Sequence, residues 1–199
     1  MGRADRTKDR LIRAARACFD EKGYDAVRVE DITGRAGVAK GSFYYYFADK
    51  QAVVLAMMEE EIADFVHHLR QIVATAEDGL TGLTLMLKML FASDQPGPPS
   101  AGYFTSGMPG WYHSQFDDAR NRHMIPLCRE IASRCVEEDL VRVPDAEMMA
   151  ELLYLGSAGW MHLNFSKMTD PASAVRALSG LEVFFNRLLD PVKKIKLLP

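Results

Sequence analysis

Between Gly37 and Lys50 the chain places Lys40, Gly41, Ser42, Tyr44, Tyr45, Tyr46 and Lys50 around two phenylalanines four residues apart, Phe43 and Phe47. On a helix the phenylalanines share one side and Lys40, Ser42, Tyr45 and Tyr46 turn the other way. Hydroxyls and ammonium groups presented together are donors for phosphate oxygens and base edges, so the chemistry on offer is nucleic-acid recognition. Catalytic readings find no support. There is no HExxH spacing, His67 and His68 are adjacent and diverge on a helix, and no Gly-rich loop follows a strand pattern. Cys128 and Ser106 are nucleophile types without a partner that sequence places beside them. The chain is therefore expected not to be an enzyme and to hold no metal or cofactor.

The reading face needs two short helices and a bend. Val29, Ile32 and Ala36 recur at spacings of three and four, with Glu30, Asp31 and Arg35 on the wet side. Gly37 supplies a residue free to take positive φ at the helix end, and Val38 can drop between the two helices. A second helix starts near Ala39. Upstream, Leu11, Ala15, Cys18, Phe19 and Lys22 mark a bracing helix from about Thr7, a plausible N-cap, to Lys22, ended by Gly23.

The run Gly37 to Phe47 followed by Asp49-Lys50, with TKDRLIRAARACFDEKGYDAV before it, resembles the TetR family of bacterial transcriptional regulators over about residues 6 to 60. The resemblance implies an all-α fold: an N-terminal three-helix helix-turn-helix DNA-binding domain, then a larger helical ligand-binding and dimerisation domain. It implies a dimeric, sequence-specific DNA-binding regulator, most often a repressor released from a palindromic operator by a hydrophobic small molecule. A filled, ligand-independent DNA-bound structural or protein-interaction factor on the same fold is the alternative. Tyr44 matches the family's phosphate-contacting tyrosine, and Lys50 is the expected phosphate holder. The sequence departs from the family pattern at Val27-Arg28, where threonine or serine usually opens the second helix, and at Ala39, where serine is common. A hydroxyl N-cap, worth roughly 1 kcal/mol, is lost; Arg28 offers phosphate a longer, charged contact instead.

Composition fits this division. The 199 residues carry a formal net charge of −3, yet residues 1–50 hold eleven Lys/Arg against eight Asp/Glu, or +3, and residues 51–199 hold thirteen against nineteen, or −6. Positive charge thus sits with the motif. We expect domains at 1–50 and 51–199. Cys18, Cys128 and Cys135 form no CxxC pair and read as reduced thiols. Cys128 and Cys135, seven apart, can share a helix face, as ordinary buried side chains or as a redox pair. The charged start MGRADRTKDR and the lack of any run of ~20 apolar residues imply a cytoplasmic protein without a membrane partner.

Downstream, the periodicity predicts a long helix from Asp49-Lys50 to about residue 76 on Val53, Met57, Phe65, Leu69 and Val73. Helices over 80–92, 114–138 with Pro126 inside, 145–168 and 171–189 follow, about nine in all, with DQPGPPSAG as a loop. Aromatic and thioether side chains gather around the irregular middle: Phe91, Tyr103, Phe104, Met108, Trp111, Tyr112, Phe116, Met124 and Trp160, with Met161. They are either core or the walls of an apolar ligand pocket, with His113, Arg120, His123 and Asn164 as polar handles. Met149, Leu152, Leu153, Gly156, Trp160 and Leu163 line one late helix, and Val175, Leu178, Leu181, Phe185 and Leu188 the other. These faces either pack inside the domain or join a second copy as a four-helix bundle. Leu152, Gly156, Trp160, Leu178, Leu181 and Phe185 are the candidate contacts. Two reading helices on a twofold axis suit successive major-groove faces of a palindrome.

Overall fold

The structure, a computed structural model, describes residues 3–91, 110–143, 145–164 and 171–198, without the side chains of 3–5, 161–164 and 171. Among the described residues there are eight helices and no strand: α1 Arg3–Lys22, α2 Val29–Ala36, α3 Lys40–Tyr46, α4 Lys50–Ala74, α5 Gly79–Phe91, α6 Gly110–Glu137, α7 Ala146–Asn164 and α8 Pro171–Leu189. The expected all-α architecture is present. α1 begins before Thr7, so that residue is inside the helix and not its cap.

The described chain divides into two compact units, one holding residues 3–63 and 110–120, the other 64–91, 121–143, 145–164 and 171–198. The head within the first unit is built on Leu11, Ala15, Ile32, Phe43 and Val53, all fully buried. Phe43 packs on Phe47 with ring centroids 5.7 Å apart, so the two phenylalanines are the inward side of α3. Helix starts follow local chemistry. Asp49 caps α4 by accepting the Ala52 N–H at 2.8 Å, Asp78 caps α5 through Thr81 N–H at 2.6 Å, and Asp145 caps α7 through Met148 N–H at 2.9 Å.

The second unit is built on Leu69, Leu127, Ile131, Phe185 and Ile195. Pro126 lies inside α6. Gly79 is required by a close approach: a Cβ there would stand 3.0 Å from the Cys135 backbone nitrogen, which cannot swing aside. Arg134 gathers the end of α4 by donating to the carbonyls of Val73 (3.1 Å) and Ala76 (3.2 Å), while its partner Glu138 accepts the Gly79 N–H at 2.6 Å.

Phe43→Ala removes a fully buried aromatic side chain under α3, and the expected loss is about 3–5 kcal/mol of unfolding free energy. Chemical denaturation checks it; a loss below 1 kcal/mol, on the order of an exposed-site change, would show that Phe43 does not anchor α3.

Candidate nucleic-acid interface

The bend between α2 and α3 is set by Gly37, which sits in the left-handed region at φ 62° and ψ 43°. Its N–H donates to Gly34 O at 3.2 Å and the Val38 N–H to Thr33 O at 3.1 Å, satisfying the last carbonyls of α2. Arg10 of α1 reaches across to donate to Ala36 O and, at 3.3 Å, to Gly37 O. A cation at a helix C-terminus complements the negative end of its dipole. Nothing in the periodicity of α1 singles Arg10 out for this brace; only its position, one turn along the wet side from Arg6 and Arg13, hints at it.

α2 starts without a side-chain hydroxyl cap at Arg28, as the sequence suggests, and α3 starts on Ala39 without a side-chain cap. Asp31 reaches back and accepts the Arg28 N–H at 2.8 Å. The same carboxylate takes the Lys22 ammonium at 2.6 Å, and these two contacts hold it below the usual carboxylate range. The lost cap is thus replaced from inside the helix.

On α3 the outward set is assembled largely as its spacing suggests. Tyr45 is 78% exposed and Tyr44 50%, with Lys40 and Gly41 exposed and Ser42 and Tyr46 half-buried. Tyr45 and Tyr46 meet edge to face at 4.8 Å, and Tyr44 leans edge-on against Phe43 at 5.5 Å. Lys40 pairs with Glu30 across the bend at 2.5 Å; the bond raises the lysine and lowers the carboxylate from their ordinary values. Arg28 is exposed beside them.

Lys50 differs from expectation. Its ammonium donates to Tyr24 O at 2.5 Å and Val27 O at 3.0 Å and lies 4.1 Å from the centroid of the Tyr24 ring. A cation at the first position of α4 meets the positive end of the dipole; two carbonyls and an aromatic face offset that. Lys50 therefore staples the turn between α1 and α2, and its donors are turned inward rather than toward a phosphate. Sequence spacing could not show this, because the acceptors are backbone carbonyls twenty-odd residues away.

The described candidate ligand side chains fall in both units, Trp111, Tyr112, His113, Phe116 and Arg120 in the first and Phe91, His123, Met124 and Trp160 in the second. Tyr112, Phe116 and Met124 are buried, with Tyr112 stacked on Phe116 at 6.2 Å, and Trp111 contacts Tyr24 at 5.8 Å. These are packing contacts. Arg120 pairs with Asp117 at 2.8 Å, His113 and His123 are half-buried, and Trp160 is 43% exposed. Tyr103, Phe104 and Met108 lie outside the described residues, as do the side chains of Met161 and Asn164. Among the described residues, Phe91 is the one candidate that lines an apolar cavity of the second unit, beside Met86, Cys128, Cys135, Leu153 and Phe185. The seven-residue spacing of the two cysteines does put them on one face of α6. Burial pushes both thiols up to about 12, which argues for ordinary buried thiols over a redox pair.

Of the candidate dimer contacts, Leu152, Gly156 and Trp160 are exposed and Leu178 is half-buried. Leu181 and Phe185 are turned into the core, and the exposed apolar side chains of α8 are instead Val175, Val183 and Phe184. Among the described residues no helix is long and apolar enough to cross a membrane, and no three metal-ligating side chains cluster.

A short helix with a donor-rich outer face, set on a glycine bend and braced by a preceding helix, defines a helix-turn-helix regulator. Residues 11–57 match the family model described as bacterial regulatory proteins, tetR family. The match makes the head a TetR-type N-terminal domain, and the relatives it resembles are transcriptional regulators. It is 39% identical over 56 residues to the transposon Tn10 TetC protein of Escherichia coli, 28% of either chain. The chain thus spans under a third of that relative's length. It is 26% identical over 179 residues to the HTH-type transcriptional repressor KstR2 of Mycolicibacterium smegmatis, 84% of this chain and 82% of that one. A solved TetR-family regulator from Pectobacterium atrosepticum shares the fold at a TM-score of 0.72 and 23% identity, covering 98% of this chain and 100% of that one.

Lys50→Ala is expected to lower unfolding free energy by about 1–3 kcal/mol by leaving two part-buried carbonyls without their charged donor. Thermal or denaturant unfolding reads this directly, and unchanged stability would place the ammonium on solvent or phosphate after all.

Proposed function

We propose that this protein is a homodimeric, sequence-specific DNA-binding repressor that leaves a palindromic operator when a hydrophobic small molecule binds its second unit. The observation that carries the reading is the two-sided α3, with Phe43 and Phe47 buried while Tyr44, Tyr45 and Lys40 face out. Such a helix presents donors to the major groove while its other side fixes it to the head. Lys40, Ser42, Tyr45 and Tyr46 form the groove-facing set. Tyr44 and Arg28 contact phosphates, and Gly41 lets the backbone come close. Lys50 acts indirectly by holding the turn that orients α2. KstR2's description as a repressor supports repression.

Dimerisation is supported by apolar side chains that the second unit leaves open. Met148, Leu152, Leu155 and Trp160 on α7 and Val175, Val183 and Phe184 on α8 are each 40% exposed or more. Gly156, Gly159 and Gly180 have open space where a Cβ would stand, so a second copy's helices can approach closely. A twofold pair of heads is also what a palindrome requires.

Selection of duplexes from a random pool at near-physiological salt tests the DNA reading. The expected result is a palindromic motif, with Lys40→Ala changing base preference inside each half-site. Folded protein that enriches nothing would instead favour a structural or protein-interaction role.

Phe184→Glu places a charge on the proposed dimer face and is expected to give a monomer of unchanged helicity in sedimentation at micromolar concentration. A wild-type protein that sediments as a monomer there would sink the dimer.

A further inference from the structure

α3 carries a single cation, Lys40, and that cation is already engaged. Its ammonium lies 2.5 Å from the Glu30 carboxylate, across the Gly37 bend, and 6.0 Å from the centre of the Tyr44 ring. Glu30 stands in the first turn of α2, where the positive end of the helix dipole favours a carboxylate. Lys40 chiefly, then the residue's own backbone and the charge of Arg28, hold that carboxyl below its ordinary range. The two side chains are 54% and 60% exposed, so the pair is screened by salt and contributes little to folding. What the pair does fix is the place of the ammonium.

A lysine is a compact charge on a flexible four-carbon stem with three rotatable donors. Left free, it finds a phosphate on any sequence, and each phosphate so neutralised adds about one to the salt dependence of binding. Held by Glu30, it keeps one N–H on the carboxylate while the other two start from a fixed place beside Tyr44. Base-edge acceptors such as guanine O6 and N7 can take those donors with the bridge intact. Phosphate contact instead requires the ammonium to leave, which sets a bare carboxylate beside the duplex. The bridge therefore favours base contact over backbone contact. The other exposed pairs of the head, Lys22 with Asp31 and Arg35 with Glu21, join α1 to α2 and leave α3 untouched.

We propose that Glu30 is a positioning residue for DNA reading: it tethers the Lys40 ammonium beside Tyr44, lowering affinity for arbitrary sequence while sharpening base preference inside the half-site. The inference rests on the DNA-binding reading and adds to it a residue that sets specificity. Titration of the full chain with a random-sequence duplex at several salt concentrations tests it. Glu30→Gln, which keeps the size and removes the charge, is expected to bind that duplex severalfold more tightly and to steepen the fall of log affinity with log salt by about one. Lys40→Met keeps the wild-type slope, and Glu30→Gln added to Lys40→Met steepens nothing. Selection from a random pool by Glu30→Gln returns the wild-type palindrome with its preference flattened at the bases that Lys40→Ala alters. Glu30→Ala gives the same readings should the amide variant misfold. An unchanged slope in Glu30→Gln overturns the tether, and so does equal steepening with and without Lys40, which is the mark of plain charge repulsion. Undiminished base preference overturns the role in specificity. A wild type that binds the random duplex yet enriches no palindrome fails the regulator reading, one that enriches a palindrome while Glu30→Gln changes nothing fails this inference alone, and one that binds no duplex fails both.

Discussion

Tyr24 is the side chain on which three helices of the first unit converge. Its ring meets Phe19 of α1 at 5.7 Å, Trp111 of α6 at 5.8 Å and the Lys50 ammonium of α4 at 4.1 Å. Its own hydroxyl is shifted upward, chiefly by burial and then by Asp49. The lysine goes on to bind Val27 O, just before α2 starts. Lys50 and Tyr24 thus tie the turn before α2 to the starts of α4 and α6, in addition to the buried core of Ile32, Phe43 and Val53. Such contacts are short-ranged, so a displacement of either helix start is either followed by the turn or breaks the staple. A ligand favouring one arrangement can shift the head only by its differential affinity for the two.

The second unit solves a different problem. Its core side chains, Leu127, Ile131, Phe185 and Ile195, are packed, yet a gap persists among Met86, Cys128, Cys135 and Leu153. An unfilled apolar volume forfeits dispersion contacts, and its walls must be held from outside or they collapse. On the returning chain, the Asn186 and Glu182 clasps make four hydrogen bonds to backbone groups. Both acceptors and donors there would otherwise be left in a half-buried strap that forms no regular structure, so the clasps satisfy the strap.

The head was legible because its determinants are local. Apolar residues at three and four spacing, a glycine at the bend and Asp49 at a helix start are each read within a few residues, and the structure uses them as read. Lys50 and Arg10 were not legible in their roles, since each binds backbone carbonyls 23 to 27 residues away that have no sequence signature. On α8 the apolar face is so broad that periodicity cannot tell its inner half from its outer one. Packing puts Leu181 and Phe185 inside and leaves Val183 and Phe184, one step away, outside. The cavity is illegible for a related reason: its residues are ordinary core types, and a gap depends on how side chains fail to meet. Aromatic enrichment pointed to the region of α6 around Tyr112 and Phe116, whose rings are buried and stack on each other.

The charge of the head bears on how it would meet DNA. Lys22, Arg35 and Lys40 each already hold a carboxylate, Asp31, Glu21 and Glu30, at 2.5 to 2.7 Å. Exposed pairs of this kind contribute little to stability and are screened by salt. A phosphate can therefore displace the carboxylate at small cost, but the exchange leaves Glu30 close to the groove-facing side of α3, where it repels the duplex unless Lys40 stays between them. The surface thus tempers non-specific attraction while keeping the cation in register beside Tyr44, whose ring centre lies 6.0 Å away. In the regulator proposed above, sequence preference would rest on the direction of a few donors rather than on net charge, which suits a head whose excess over its acidic residues is only +3.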